Sequence, residues 1–410
     1  MKYGLLGKKL SHSYSPMIHS YLGNYAYSLF ERESDELESF FNNQNIRGVN
    51  ITIPYKQTVI SYCHELSDTA RSIGAVNTIV RSDDCSLIGH NTDYYGFSYM
   101  LSRSGLCVAG KKVLVLGTGG ASRTVQHVLK NVGARTVVIS RTGKNNYENL
   151  SIHSDASVLI NCTPVGMSPN CPSSLLSLSR FDQLEGVLDL IYNPSKTALL
   201  MEAENRGIIA ENGLWMLVAQ AKESAEWFLG HTLPNSLIDE IYSNLRFLTE
   251  NIILIGMPGC GKSAIAKLLA ERLGRPVLDS DQEIVSLAGK TIPEIFSEDG
   301  ESYFRSKETL VLKSLGKESG TIIATGGGCV IRPENYPFLH QNGKIFYIQR
   351  DISLLETDGR PLSMKADLEE MFHIRHPLYQ QFSDYTVDNN QSIDTAVNSI
   401  LNILQSGGAQ

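Results

Sequence analysis

The sequence predicts an α/β protein: a doubly wound first half followed by a second domain built on a parallel sheet. Three observations support this fold class. Short apolar runs alternate with segments of helical apolar spacing along nearly the whole chain. In the first half, a glycine-rich turn at 117–122 stands between a predicted strand and a predicted helix. A second such turn, at 256–263, follows an apolar run at mid-chain and precedes another predicted helix.

Length and composition limit the number of domains and the classes of partner that this chain is expected to have. The 410 residues favour two to three domains, each with enough apolar content for a core. A net charge of −7 argues against nucleic acid or an anionic membrane as a partner, so small anions in local basic pockets are expected. Seven cysteines without a CxxC pair indicate free thiols and no zinc. With no signal-peptide pattern and no run of about 18 apolar residues, a cytoplasmic protein is expected, and a homo-oligomer is left open.

The elements divide the chain into three predicted domains. A substrate-binding α/β domain is expected at 1–108, with strands at 3–6, 48–53 and 78–81 and helices beginning at Ser15 and Gln57. A Rossmann domain is expected at 109–213, with strands that include 136–140, 158–161 and 186–190. Helices at 214–229 and 237–248 are assigned to the first domain. A linker at 246–250 then leads to the last domain, 251–410.

The turn GTGGAS keeps the first two glycines of the dinucleotide fingerprint, although Ser122 stands where the strict pattern has glycine or alanine. Because a strand precedes it and a helix follows, we expect it to bind a dinucleotide. Its candidate contacts are Gly117, Gly119, Gly120 and Ala121.

The end of the next strand predicts which dinucleotide is bound. An NAD enzyme usually has an acidic residue there for the ribose hydroxyl. This chain instead has two cations and two hydroxyls, at Ser140, Arg141, Thr142 and Lys144. Such groups suit a 2′-phosphate, so NADP(H) is predicted over NAD. The alternative interpretation is an ordinary solvated basic loop.

The second turn, GMPGCGKS, fills every fixed position of the phosphate-loop pattern GxxxxGK(S/T). Its glycines let backbone N–H groups converge on phosphate, Lys262 adds a point charge, and Ser263 offers a hydroxyl to Mg²⁺. The alternative is a turn that binds nothing. The candidate ATP contacts are Gly256, Gly259, Cys260, Gly261, Lys262 and Ser263.

Six ordered segments of the first half resemble the shikimate dehydrogenase family. They are SHSYSP at 11–16, NITIPYK at 50–56, GAVNT at 74–78, GHNTDYYGF at 89–97, DLIYNP at 189–194 and NGLWMLVAQA at 212–221. The resemblance implies NADPH-dependent reduction of 3-dehydroshikimate to shikimate.

The resemblance also implies site residues. Ser13 and Ser15 would hold the substrate carboxylate, and Lys56 and Asp93 would form the catalytic pair. The remaining implied contacts are Thr52, Asn77, Tyr192 and Gln220 for the substrate, and Thr163, Gly213 and Met216 for the cofactor. Ketone reduction needs a proton donor, which an ammonium beside a carboxylate can supply. Taken alone, Lys56 would be read as a surface lysine and Asp93 as a helix N-cap.

Five segments of the second half resemble the shikimate kinase family. They are DSD at 279–281, FRSKE at 304–308, TGGG at 325–328, GRPL at 359–362 and RHPLY at 375–379. The resemblance implies ATP-dependent phosphorylation of shikimate, a reaction that depends on positioning and charge neutralisation.

Roles follow from that resemblance. Asp279 and Ser263 would support Mg²⁺, and Asp281 would orient or deprotonate the acceptor hydroxyl. Arg305 and Arg375 would bind the substrate carboxylate as guanidinium forks. Three glycines would let the backbone pass close to the substrate ring: Gly326, Gly327 and Gly328. Arg360, in a lid at 352–365, would reach the transferring phosphate. Judged singly, each arginine could be a solvated surface charge.

Several positions depart from the family patterns. Lys9 replaces a proline of the first element, and Pro164 replaces a serine near the predicted cofactor site. The approach to the lid lacks the arginine that usually stacks on adenine, and the stretch from Arg360 to Arg375 is short. Adenine affinity is therefore left open.

The two halves together predict a bifunctional enzyme that uses NADP(H), ATP and Mg²⁺. Two rivals remain at this stage. One is a quinate/shikimate dehydrogenase joined to a kinase for another small polyol acid, such as gluconate. The other is a dehydrogenase whose second half binds ATP without turnover and regulates the first.

Overall fold

The computed structural model describes residues 2–10, 13–355 and 365–405. This part of the chain divides into two compact units. The first comprises Met1–Val165, Ser174–Tyr192 and Leu199–Tyr242; the second comprises Gly166–Ser173, Asn193–Ala198 and Ser243–Gln410. Within the described residues no helix is long and apolar enough to cross a bilayer. All seven cysteines are free thiols.

A six-stranded mixed sheet opens the first unit. Its elements are β1 (Lys2–Gly7), α1 (Ser15–Leu22), β2 (Tyr27–Glu31), α2 (Leu37–Asn42), β3 (Ile46–Ile51), β4 (Glu65–Leu66), α3 (Asp68–Ile73), β5 (Thr78–Arg81), β6 (Leu87–His90) and α4 (Asp93–Arg103). The strand order is β2-β1-β3-β5-β6-β4. The buried side chains of β3 and β5 pack in one apolar core with those of α2.

A second, five-stranded sheet in this unit is parallel throughout. Its elements are β7 (Lys112–Leu116), α5 (Gly120–Asn131), β8 (Arg135–Ile139), β9 (Val158–Asn161), β10 (Gly186–Asp189), α6 (Ala198–Asn205) and β11 (Ile209–Asn212). The order β11-β10-β9-β7-β8 makes it a doubly wound sheet. The strand order reverses at β7, because β8 lies on one side of it and β9 lies on the other. The glycine turn follows β7, and such a reversal point is where doubly wound sheets bind ligands.

Two helices, α7 (Leu214–Leu229) and α8 (Ser236–Thr249), follow the second sheet. Helix α7 crosses α4 so closely that a β-carbon on Gly96 would lie 2.6 Å from the carbonyl oxygen of Met216. A side chain at position 96 would separate the helices. This contact brings the start of α4 against α7.

The second unit contains a five-stranded parallel sheet. Its elements are β12 (Asn251–Ile255), α9 (Lys262–Leu273), β13 (Val277–Asp279), α10 (Ser280–Ala288), α11 (Ile292–Glu294), α12 (Gly300–Leu315), β14 (Ile322–Ala324), α13 (Asn335–His340), β15 (Gly343–Gln349), α14 (Lys365–Phe382), β16 (Tyr385–Asp388) and α15 (Ile393–Gln405). The order is β13-β14-β12-β15-β16. Every residue of the central strand β12 is buried, as expected when helices cover both faces.

The predicted α/β fold class is confirmed, but two local predictions were wrong. The helix expected from Gln57 is only a 3₁₀ segment, Thr58–Tyr62, because the β-branched run there disfavours an α-helix and Gln57 provides no side-chain cap. The linker expected at 246–250 is largely helical. Helix α8 continues to Thr249, and β12 begins at Asn251.

Candidate active sites

A lysine–aspartate pair lies at the start of α4 in the first unit. Lys56 Nζ donates to Asp93 Oδ2 at 2.6 Å, and the two side chains are 17% and 7% exposed. Asp93 is the first residue of its helix, where the helix dipole favours a carboxylate. The structure therefore brings the two predicted residues together as a largely buried ion pair.

An amide and hydroxyl network lies beside the same helix start. Asn77 Nδ2 donates to Thr92 Oγ1 at 3.0 Å and to Gln220 Oε1 at 3.4 Å. The backbone N–H of Thr92 donates to Asn77 Oδ1 at 2.7 Å. Asn77 and Gln220, predicted from separate segments, are thus brought together, with Thr92 as an unpredicted link.

The two predicted carboxylate-binding serines contact each other. Ser13 Oγ donates to Ser15 Oγ at 3.1 Å and accepts from the backbone N–H of Ser15 at 3.2 Å. Between them, Tyr14 packs on Tyr192 with ring centroids 5.4 Å apart. Burial, and secondarily Tyr14, raise the pKa of Tyr192 to about 12. Thr52 directly follows β3, and its backbone N–H donates to the carbonyl oxygen of Leu6 at 2.9 Å.

The glycine-rich turn adopts the backbone that a dinucleotide site needs. Gly117 has φ +104°, and a β-carbon there would lie 3.0 Å from Thr163 Cγ2. Ser122 Oγ donates to the carbonyl oxygen of Gly117 at 2.7 Å, so this departure from the fingerprint ties the turn to the helix. A β-carbon on Gly120 would lie 3.7 Å from Lys56 Cδ. The turn and the lysine therefore border one site.

The loop after β8 presents its polar groups to solvent. Arg141, Thr142 and Lys144 are exposed. Ser140 Oγ accepts from the backbone N–H of Gly143 at 2.8 Å, which holds the turn. This leaves two cations accessible at the strand end.

Four further predicted cofactor contacts lie in the loop after β9 and at the starts of α5 and α7. Pro164 does not disrupt its loop, since Thr163 Oγ1 donates to Asn161 Oδ1 at 2.8 Å. Gly213 precedes α7 and has no room for a side chain, because a β-carbon would lie 2.1 Å from the carbonyl oxygen of Leu190. Met216 is buried in α7, and Ala121 is half-buried at the start of α5.

The phosphate loop of the second unit connects β12 to α9. Three of its glycines have positive φ: Gly256 (+144°), Gly259 (+80°) and Gly261 (+95°). Lys262 Nζ donates to the carbonyl oxygens of Gly256 and Met257, each at 2.9 Å, so the ammonium is held inside the loop. Cys260 is buried. This arrangement directs a cation and helix N–H groups toward one anion position.

Oxygen ligands stand next to that loop. Ser263 Oγ donates to Asp279 Oδ2 at 3.4 Å. Asp279 also caps α10, since its Oδ1 accepts from the backbone N–H groups of Asp281 and Gln282 at 2.9 and 3.3 Å. A hydroxyl and a carboxylate are hard oxygen donors of the kind that Mg²⁺ prefers. The site therefore fits the predicted ion.

A cavity of about 440 Å³ lies between α11, α12 and the TGGG turn. Arg305, Arg375 and Asp281 line its polar side. Gly328 permits the approach of Arg305, because a β-carbon would overlap the guanidinium. Arg375 Nη1 donates to the carbonyl oxygen of Gly327 at 3.1 Å, and a β-carbon on Gly326 would lie 2.5 Å from Asp281 Oδ1. The apolar wall of the cavity includes Ile292, Pro293, Phe296, Phe304, Leu368 and Met371.

Besides Thr92, sequence reasoning missed three residues that shape the site in the second unit. Glu308 is fully buried, and its Oε2 accepts from Arg305 Nη1 at 2.8 Å. Tyr379 donates to the carbonyl oxygen of Gly327. Asn389 Nδ2 donates to the carbonyl oxygen of Cys260 at 2.8 Å. The i,i+3 spacing in FRSKE could have indicated the first contact, and the i,i+4 spacing in RHPLY places Tyr379 on the face of Arg375. Arg360 lies outside the described residues.

Family models match both halves of the chain. Residues 5–79 match the model described as the shikimate dehydrogenase substrate binding domain. Residues 258–405 match the model described as shikimate kinase.

Individual proteins resemble the first half. A shikimate dehydrogenase (NADP(+)) from Clostridium beijerinckii is 38% identical over 263 residues, which cover 59% of this chain and 96% of that protein. A chorismate mutase/shikimate 5-dehydrogenase fusion protein from Clostridium acetobutylicum has a TM-score of 0.57 and 37% identity, covering 60% of this chain and 96% of that one. The shikimate 5-dehydrogenase of Thermus thermophilus, solved with NADP(H) and shikimate, has a TM-score of 0.55 and 29% identity. The match covers 60% of this chain and 99% of that one.

Proposed function

We infer that this chain, which belongs to the shikimate dehydrogenase family and carries a shikimate kinase domain after it, is a bifunctional enzyme of the shikimate pathway. It reduces 3-dehydroshikimate to shikimate with NADPH, and it phosphorylates shikimate with ATP to give shikimate 3-phosphate. One observation carries this conclusion: the two family matches fall on different halves, and the product of the first reaction is the substrate of the second.

Lys56 is proposed as the acid of the reductive step. NADPH, when bound at the glycine turn, supplies the hydride. The ketone oxygen then gains negative charge and needs a proton, which Lys56 Nζ can donate within hydrogen-bond reach. Asp93, 2.6 Å from that nitrogen, orients the ammonium. In the reverse direction neutral Lys56 accepts the proton.

The remaining polar groups of the first site are proposed to orient the substrate. Ser13 and Ser15 offer adjacent hydroxyls for a carboxylate. Asn77 and Gln220 share Thr92 as a common partner, so their amides are fixed before substrate arrives. This fixed geometry favours one face of the ring for hydride attack.

In the second unit, the phosphate loop is proposed to hold ATP and the cavity to hold shikimate. Lys262 and the helix N–H groups bind the β- and γ-phosphates, and Ser263 and Asp279 hold Mg²⁺, which neutralises phosphate charge. Asp281 lies at the boundary between the loop and the cavity, where it can accept the proton of the attacking hydroxyl. Arg305 and Arg375 bind the carboxylate at the other end of the ring.

The polar groups in both sites match small anionic substrates. Arg141 and Lys144 supply the charge that distinguishes a 2′-phosphate, which supports NADPH over NADH. Because NADPH and ATP are the reactants, we propose that the enzyme acts in the cytoplasm.

A substrate panel tests this function. The purified chain should oxidise shikimate with NADP⁺ much faster than quinate, and should phosphorylate shikimate with ATP but not gluconate. ADP formation would be followed separately from NADPH absorbance. ATP binding without phosphorylation of any acid would refute the kinase half of the proposal, and a preference for quinate would refute the substrate of the first half.

A further inference from the structure

Two asparagines close the base of the loop that follows β8. Asn146 Nδ2 donates to the carbonyl oxygen of Gly143 at 3.2 Å. Asn149 Nδ2 donates to the carbonyl oxygen of Lys144 at 2.8 Å. Two successive carbonyl groups of the loop are therefore fixed by side chains that lie further along the chain.

The two asparagines also hold each other. Asn149 Oδ1 accepts from the backbone N–H of Asn146 at 2.9 Å. Asn146 Oδ1 accepts from the backbone N–H groups of Glu148 and Asn149 at 2.9 and 3.2 Å. Each amide thus uses both its oxygen and its nitrogen, which determines its orientation. Their neighbours anchor the pair to the protein interior, because Leu150 is buried in the apolar core of the second sheet and Tyr147 packs against that core.

The segment that the asparagines hold carries the charges of the predicted cofactor site. Lys144 belongs to this segment, and Arg141 precedes it in a turn that Ser140 closes by accepting from the backbone N–H of Gly143 at 2.8 Å. The backbone N–H of Ser140 donates to the carbonyl oxygen of Asn145 at 3.1 Å. Both cationic side chains are exposed, so a ligand can reach their charges. Without these bonds the loop would sample many conformations, and a ligand would have to select one of them at a cost in affinity.

We propose that Asn146 and Asn149 are positioning residues, which set Arg141 and Lys144 in place for the 2′-phosphate of NADPH before the cofactor binds. This proposal rests on the cofactor contacts proposed above for the same loop. A loop that is already ordered loses less conformational freedom on binding, so its cations contribute more to affinity. NADH lacks the 2′-phosphate and gains nothing from this order. The two asparagines thus contribute to the choice of NADPH over NADH without touching the cofactor.

Cofactor binding to the free enzyme tests the proposal without turnover. NADPH and NADH would be titrated separately into the full-length chain, with no substrate present, and followed by nicotinamide fluorescence. Asn149→Ala should weaken NADPH binding roughly three- to ten-fold, the range expected for one hydrogen bond, and leave NADH binding unchanged. Without cofactor, the backbone N–H of Gly143 should exchange with solvent deuterium faster in Asn149→Ala than in the wild type. The kcat at saturating NADPH should stay near its wild-type value.

Asn145→Ala is the matched control, because the side chain of Asn145 contacts His153 Nε2 at 3.2 Å rather than the backbone of Gly143 or Lys144. It should bind both cofactors like the wild type. Kinase activity and the melting temperature of each variant check folding. A second comparison places Asn149→Ala in the Arg141→Ser/Lys144→Ser background. There it should have no further effect on NADPH binding, since the cations through which it acts are gone.

Unchanged NADPH binding in Asn149→Ala, while Arg141→Ser/Lys144→Ser binds NADPH weakly, would overturn this proposal alone. Equal weakening of NADPH and NADH would also overturn it, because Asn149 would then be a general support of the domain. So would an equal loss in Asn145→Ala, or an undiminished effect of Asn149→Ala in the background without the two cations. Wild-type NADPH binding by Arg141→Ser/Lys144→Ser would instead refute the proposed cofactor contacts of the loop, and this proposal with them.

Discussion

Replacing Glu308 by glutamine tests whether a buried carboxylate supports the arginine of the kinase cavity. Glu308 is fully buried and accepts from Arg305 Nη1 at 2.8 Å. The second carboxylate on Arg305 belongs to Glu301, whose side chain is 61% exposed. Burial raises the pKa of Glu308, and Arg305 opposes that rise. Glu308 is thus the protected counter-ion of Arg305, and Glu301 is the solvated one.

The magnitude follows from burial. Removing one partner of a buried ion pair costs about 3–5 kcal/mol. Glutamine retains a hydrogen-bond acceptor worth about 1 kcal/mol, which leaves roughly 2–4 kcal/mol. For a unit of this size, that is a fall of roughly 5–15 °C in the temperature at which kinase activity is lost. The matched variant Glu301→Gln should change it by about 4 °C or less, because exposed pairs contribute about 0–1 kcal/mol.

Residual activity after heating is the appropriate assay, since each activity reports on its own unit. Glu308→Gln should lose kinase activity at lower temperature and keep the dehydrogenase profile of the wild type. Saturating shikimate should protect Glu308→Gln more than the wild type, because the substrate carboxylate supplies the missing negative charge. Equal effects of Glu308→Gln and Glu301→Gln would refute the reasoning, as would a parallel loss of dehydrogenase activity.

Three further variants test other parts of the account. Gly261→Ala should lower kinase kcat/KM for ATP by roughly ten-fold or more, because an alanine at φ +95° is strained and its β-carbon would lie 2.7 Å from Asn389 Nδ2; an unchanged value would contradict the loop geometry. Arg141→Ser should raise the KM for NADPH roughly ten-fold or more and leave that for NADH unchanged, since a charge-assisted hydrogen bond is lost; equal changes would make Arg141 a solvated loop residue. Burial, with help from Glu226, raises the pKa of Glu223 to about 8. Because the unfolded value is about 4.3, the stability linked to this shift is fully present below about pH 4.3, falls as the pH rises toward about 8, and is gone above that pH. Glu223→Gln should therefore lose less thermal stability than the wild type between about pH 5 and 8, and identical pH profiles in thermal unfolding would contradict this.

Local sequence patterns predicted many of the strands, helices and turns, because strands and glycine turns are encoded in short segments. The strand at Val158–Asn161 and the helix at Leu214–Leu229 have the bounds that the sequence predicted. The helix predicted after Gln57 was wrong, because the apolar spacing there suggested a helix while the β-branched side chains opposed one. The linker predicted at 246–250 was wrong, because a polar stretch does not by itself end a helix.

The sequence identified candidate site residues in two ways. Lys262 belongs to a motif that specifies phosphate binding, and Lys56 belongs to a segment that resembles a known family. The supporting side chains were missed. Thr92 joins Asn77 to Gln220 across 143 positions of sequence, and no local pattern encodes that distance. Glu308 could be paired with Arg305 by helix spacing, but its complete burial depends on packing that the sequence does not display.

The most direct test of two active sites in one chain is a coupled assay on the full-length protein. It would contain 3-dehydroshikimate, NADPH, ATP and Mg²⁺, and would follow NADPH, ADP and shikimate 3-phosphate. Lys56→Ala should abolish the reductive step while kinase activity on added shikimate persists. Lys262→Ala should stop only phosphorylation, so that shikimate accumulates. Accumulation of shikimate in the wild type, without shikimate 3-phosphate, would contradict the account.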